Sequence, residues 1–102
     1  MDIKIYEKPV ITKFVMIDVE EFELRELYSA LEQISVETKE NDIYGEYSLR
    51  EYEINCNIEV MNKLVDIGLV KNYTGSRMAN LYCMKDKDRI EKLLETLYEF
   101  DI

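Results

Sequence analysis

Residues 48–84 read SLREYEINCNIEVMNKLVDIGLVKNYTGSRMANLYCM and contain the most informative pattern for predicting the fold. Ser48 and Glu51 have the spacing of a capping box, which predicts a short helix with Leu49 and Tyr52 turned inward. The run Asn55-Cys56-Asn57 interrupts this helix, and either asparagine can cap the next one. The stretch therefore begins with two helices separated by a three-residue turn.

Apolar residues at helical spacing follow the turn and predict the longer helix. Its inward side chains are Ile58, Met61, Leu64 and Val65. Gly68 ends it, because glycine is the residue best suited to the left-handed position after a helix. Two β-prone runs, 69–73 and 78–84, then flank Gly75-Ser76, which is a two-residue signal for a hairpin.

Upstream, residues 3–17 are rich in β-branched and aromatic side chains and predict two short strands with a break at 7–9. Asp18 and Glu21 form an aspartate version of the capping box, so a first helix is expected over residues 19–35. Its apolar side chains are Phe22, Leu24, Leu27, Tyr28, Leu31 and Ile34. The polar residues 36–47 predict a loop.

Downstream, Asp86 or Asp88 can cap a last helix. Its apolar face consists of Ile90, Leu93, Leu94, Leu97 and Phe100. Because this face follows near-heptad spacing, we expect it to form the interface of a homodimer, and the first helix is long enough to join it.

The order of helix, short helix, turn, helix ending in Gly68-Leu69-Val70, hairpin and closing helix resembles the winged helix-turn-helix superfamily, in particular the small dimeric regulators of prokaryotes and their viruses. The resemblance covers about residues 19–100. It implies one α+β domain over 1–102. The N-terminal strands would occupy 1–18, the winged-helix core 19–85 and the dimerisation helix 86–102.

The resemblance also implies contacts with DNA. In this family the helix before the hairpin enters the major groove, and the hairpin contacts phosphates or the minor groove. Carried onto this sequence, the helix residues facing DNA would be Asn57, Glu59, Asn62 and Lys63. The hairpin contacts would be Lys71 and Arg77. A dimer would then be a transcriptional regulator that reads a palindromic site.

Charge is unevenly distributed along the chain. The 13 basic and 22 acidic side chains give a net charge of −9. Residues 1–44 hold 5 basic and 11 acidic side chains, a net of −6, whereas residues 45–90 hold 7 of each and are neutral. The last 12 residues hold 1 and 4, a net of −3. A uniformly acidic surface would repel nucleic acid, but the segment with the expected DNA contacts is neutral.

Several kinds of chemistry lack the residues they need. Histidine is absent, so the usual general base near neutral pH and the commonest zinc ligand are missing. Cys56 and Cys83 alone indicate neither a metal site nor a disulfide framework, and they suit a reducing cytoplasm, or that of a host if a virus encodes the chain. We therefore expect no enzyme activity, catalytic residue, metal or cofactor. No apolar run is long enough to cross a membrane.

Two alternatives stay open. The first is architectural: shifted by 66 positions, both ends of the chain pair a strand with a helix of similar apolar pattern, and two such motifs would frame a groove for a peptide. The second is functional: the chain would be an acidic protein-interaction module that binds a peptide or host protein as an adaptor or DNA mimic. Its acidic surface would include Glu20, Glu23, Glu26 and Glu32.

Overall fold

A three-stranded antiparallel sheet begins the chain in the computed structural model, which describes residues 2–8, 12–40, 47–74 and 80–100. Its strands are β1 (Ile3–Glu7), β2 (Lys13–Ile17) and β3 (Glu20–Glu23), in that spatial order. Asp18 makes the tight turn between β2 and β3 with a φ of +55°, in the left-handed region that aspartate tolerates better than most residues. The two predicted strands are confirmed, and β3 is added to them.

The predicted start of the first helix at residue 19 is wrong. Residues 20–23 pair with β2 instead, with Phe22 facing Val15, and the helix α1 runs over Leu24–Val36. Asp18 therefore caps no helix. The physical reason is burial: as a strand residue Phe22 faces the core next to Val15, and both side chains are buried.

The helix α1 lies at the centre of the molecule. Its buried side chains are Leu24, Leu27, Ala30, Leu31, Gln33 and Ile34. It packs against β2 and β3, against the helix α2 (Ile58–Asp66), against the strand β7 (Asn80–Met84) and against the last helix α3 (Lys87–Tyr98). Most of the core is organised around this helix.

The apolar face of α3 is used inside a single chain. Ile90, Leu93 and Leu97 are buried in the core, and α3 packs on α1. These three predicted interface residues are therefore unavailable to a second copy. Leu94 is half-buried and Phe100 is 41% exposed. The regular apolar spacing of α3, which predicted a dimer interface, is explained by the packing of α3 on α1 within one chain.

The second sheet joins distant parts of the chain. Its strands are β4 (Lys39–Glu40), β5 (Tyr47–Arg50), β6 (Val70–Thr74) and β7, in the order β4-β5-β7-β6. All neighbouring strands are antiparallel. The predicted loop over 36–47 thus contains β4 and the first residue of β5. Its residues 41–46, like the expected turn Gly75-Ser76, lie outside the described residues.

The predicted short helix at residue 48 is also wrong. Ser48 and Leu49 belong to β5, where Leu49 faces Tyr82 of β7. A single 3-10 turn over Glu51–Glu53 follows, and Tyr52 is 78% exposed rather than inward. Both side chains are buried in this strand, so Ser48 does not occupy a helix-capping position.

The helix α2 and its ends confirm their predictions. Asn57 caps it, since its side-chain oxygen accepts a hydrogen bond of 3.0 Å from the backbone N–H of Glu59. Gly68 follows it with a φ of +82°, in the left-handed region that favours glycine. Asp86 likewise caps α3 by accepting a 3.2 Å hydrogen bond from the N–H of Arg89.

The two halves of the chain do not repeat one pattern. β3 lies between β2 and α1, whereas β7 leads into α3 without a further strand. The helices α1 and α3 pack on each other. The alternative architecture of two hairpin-plus-helix motifs framing a groove therefore receives no support from the order of elements.

Glu21 connects the first sheet to α2. Its carboxylate accepts hydrogen bonds of 2.6 Å from the Tyr6 hydroxyl and 2.8 Å from the Lys8 ammonium. Its backbone carbonyl accepts a 2.9 Å hydrogen bond from Lys63 of α2. The hydrogen bond from Lys8, followed by that from Tyr6, holds the pKa of Glu21 below its usual value of 4.5. The same bond to Glu21 raises the pKa of Tyr6.

We predict that Glu21→Gln reduces stability at neutral pH and that the deficit disappears in acid. The depressed pKa means that the folded state favours the carboxylate, so its contribution is present above pH 4.5 and is lost as pH falls through the lower folded-state pKa. Urea unfolding of wild type and variant across this range measures the effect. Glu23→Gln is the matched control on the same strand. An equal pH dependence in both variants would contradict the prediction, because it would then reflect net charge alone.

Candidate functional site

The residues expected to face DNA lie on and near the exposed side of α2. Asn57, Glu59 and Asn62 are exposed, whereas Lys63 is half-buried. Lys71 is exposed on β6, with its ammonium 5.8 Å from the centre of the Tyr73 ring. Arg77 lies outside the described residues. The structure therefore brings the predicted helix residues together on one element.

Three of these side chains already have partners within the chain. Asn57 caps α2, and the side-chain oxygen of Asn62 accepts a 2.9 Å hydrogen bond from the Tyr82 hydroxyl. Lys63 donates to the Glu21 carbonyl and lies 5.7 Å from the centre of the Phe22 ring. These contacts hold α2 against both sheets. A duplex approaching this side of α2 would meet the exposed carboxylates of Glu59 and Asp66.

A groove of about 430 Å³ opens beside the first turn of α2. Its walls are α1 and the segment before α2. Asn57, one of the predicted DNA contacts, also lines this groove. The lining residues are Arg25, Glu26, Ser29, Glu32, Gln33, Glu37, Asn55, Cys56 and Asn57. Three carboxylates against one guanidinium give the groove a net charge of −2, counted from these lining residues.

Gln33 joins the two walls of the groove. It is only 5% exposed, and it lies among the apolar side chains on the buried side of α1. Its amide nitrogen donates to the Glu53 carbonyl at 2.8 Å and to the Glu37 carboxylate at 3.0 Å. Its amide oxygen accepts a 3.0 Å hydrogen bond from the N–H of Asn55. One buried side chain therefore positions the segment that leads into α2.

Cys56 contributes a protonated thiol to the groove. It is half-buried, and burial raises the pKa of its thiol, with a further contribution from the charge of Glu26. A raised pKa keeps the thiolate fraction low, so the side chain acts as an apolar contact rather than as a nucleophile.

The sequence indicated part of this site. Glu26 and Glu32 were expected on an acidic surface, and both line the groove, whereas Glu20 and Glu23 lie on β3. Gln33, Glu37 and Asn55 were missed. A buried polar residue could have been predicted at position 33, because this glutamine follows Ala30 by three positions and therefore lies on the buried side of α1.

Comparisons with protein-family models, curated proteins and solved structures find no match to this chain. Within the described ranges, no group of three or more Cys, Asp or Glu side chains is arranged to hold a metal ion. None of the helices in these ranges has the length and apolar character required to cross a membrane.

We predict that Gln33→Met destabilises the protein by about 1–3 kcal/mol, because it leaves the Glu53 carbonyl and the Asn55 N–H without their partner. Urea unfolding measures the change. Ser29→Ala, on the exposed part of the same groove wall, is the control and should stay within about 0.5 kcal/mol of wild type. Equal stability of the two variants would show that the Gln33 hydrogen bonds do not hold the segment before α2.

Proposed function

We propose that this chain is a non-enzymatic interaction module of the winged-helix type, and that the acidic groove beside α2 binds a basic segment of a partner protein. The observation that carries the proposal is the groove's excess of carboxylates next to a helix whose Asn62 and Lys63 side chains are already hydrogen-bonded within the chain. The segment that the groove would bind is rich in lysine and arginine.

The order of elements supports the winged-helix part of the proposal. After α1 and the short strand β4, the chain continues through β5, the turn at Glu51–Glu53, α2 and the antiparallel pair β6–β7. In the sheet, β7 lies between β5 and β6, so the hairpin packs beside the strand that precedes α2. A 3-10 turn stands where the family has its second helix.

The groove suits cationic side chains. Glu26 and Glu32 lie less than two helical turns apart on α1, and both carboxylates are exposed and able to accept hydrogen bonds. Ser29 and Asn55 add uncharged polar groups between the carboxylates. The volume falls within the range of about 300–1,000 Å³ found for ligand sites. Attraction to the acidic N-terminal segment would also accelerate association with a basic partner.

DNA binding is the second candidate. The strand order of the second sheet and the exposed Asn57 and Asn62 on α2 favour it. If the hairpin contacts DNA as it does in that family, Lys71 on β6 would contact a phosphate. In that case affinity would fall steeply with salt, since phosphate contacts release counterions from the duplex.

We predict that a fluorescent peptide of about ten lysine-rich residues binds the wild-type chain at low salt, and that the double variant Glu26→Gln/Glu32→Gln binds it about fivefold more weakly. The estimate takes about 0.5 kcal/mol for each exposed ion pair lost. Fluorescence anisotropy measures both affinities.

The matched control is Glu91→Gln/Glu95→Gln, which removes two exposed carboxylates of α3 outside the groove. It changes the net charge equally and should retain nearly wild-type affinity. A labelled duplex of about 20 base pairs is titrated in parallel. Equal weakening by both variants would contradict a specific groove, and binding of the duplex alone would favour the second candidate.

A further inference from the structure

β1 is an edge strand whose other side meets no strand among the described residues. It pairs with β2 in a register that sets Ile3 against Ile17 and Glu7 against Lys13. Beyond its ends, the backbone N–H of Asp18 donates to the Asp2 carbonyl at 2.9 Å, and the backbone N–H of Lys8 donates to the Thr12 carbonyl at 3.3 Å. The even-numbered residues of this segment therefore direct their backbone groups toward β2.

The odd-numbered residues consequently direct theirs away from the sheet, because hydrogen-bonded and non-hydrogen-bonded pairs alternate in an antiparallel ladder. These residues are Ile3, Ile5 and Glu7. Their three N–H groups and three carbonyls form a row that another strand can extend. Ile3 is 42% exposed at this edge and Ile5 is half-buried.

We propose that the partner of this edge is β1 of a second copy of the chain, paired antiparallel about a two-fold axis at Ile5. This pairing places Ile3 of one copy opposite Glu7 of the other, so all six outward backbone groups can bond across the axis. Two three-stranded sheets then become one continuous sheet of six strands. The proposal is independent of what the groove binds.

Charge complementarity favours this register over the two adjacent ones. With Ile5 on the axis, Lys4 faces Tyr6 of the other copy and Asp2 faces its Lys8. Lys4 already lies 5.8 Å from the ring centre of Tyr6 within one chain, so the facing pair repeats a favourable contact. An axis at Lys4 would oppose two copies of that lysine, and an axis at Tyr6 would oppose Lys4 and Lys8. Facing like charges destabilise strand pairs.

The side chains beside the axis also favour a second copy. Tyr6 stacks on Phe14 with ring centres 6.0 Å apart, and Lys8 lies 4.2 Å from the centre of the Phe14 ring. These residues share one face of the first sheet. Two-fold pairing would extend this aromatic and cationic face across both copies, whereas the apolar side chains of α3 are already used within each chain.

The first test is the mass of the full chain in solution. Light scattering at about 100 μM, a concentration above typical micromolar dissociation constants, should give twice 12.2 kDa. Ile5→Lys, which opposes two charges at the axis, should give the monomer mass. Val36→Lys is the control, since it adds the same charge at an exposed apolar residue of α1. A monomeric wild type, or a dimer that persists in Ile5→Lys, would overturn the proposal.

The second test determines the register of the two β1 strands by disulfide crosslinking, and it does not require Ile5→Lys to fold. In a Cys56→Ser background, Ile5→Cys should form an intermolecular disulfide under mild oxidation, because facing bonded residues have Cα atoms about 5.5 Å apart. Lys4→Cys should crosslink at least about tenfold more slowly, since its copies are offset along the strands. Equal or faster crosslinking through residue 4 would overturn the axis at Ile5.

Discussion

The structure depends on covering α1, whose apolar side chains are removed from water on several sides at once. Leu27, Ala30, Leu31 and Ile34 are fully buried. The first sheet, α3, β7 and α2 each pack against this helix. Since burial of a large aliphatic side chain contributes about 1.5–3 kcal/mol, these contacts outweigh any single hydrogen bond of the surface. They also explain why α3 has a continuous apolar face in a single chain.

Local signals in the sequence located those elements whose ends are determined by neighbouring residues. Asn57, Gly68 and Asp86 act as the sequence indicates, because a cap or a left-handed glycine needs only the adjacent turn. The signals at Asp18 and Ser48 failed for one shared reason. Both residues precede a glutamate by three positions, but strand pairing competes with helix formation in these segments. Pairing with the adjacent β2 buries Phe22, and pairing with the distant β7 buries Leu49.

Only part of the groove was predictable, because one of its walls depends on contacts between residues far apart in the sequence. The acidic side of α1 follows from helical spacing, and Glu26 and Glu32 were expected on it. The opposite wall depends on Gln33, whose partners Glu53 and Asn55 are 20 and 22 residues away along the chain. Nothing in the local sequence connects these residues. The same packing engages Asn62 and Lys63 in hydrogen bonds within the chain, so these two side chains are less available to a partner than the carboxylates of the groove.

We infer that the groove beside α2, rather than the outward side of α2, is the recognition surface. Amide spectra of the ¹⁵N-labelled chain, recorded while a lysine-rich peptide is added, are the sharpest test of this inference. We expect the largest shifts on the side-chain amide of Gln33 and on the backbone amides of residues 55–57. Shifts confined to residues 59–66 and the hairpin, produced by a DNA duplex and not by the peptide, would contradict it.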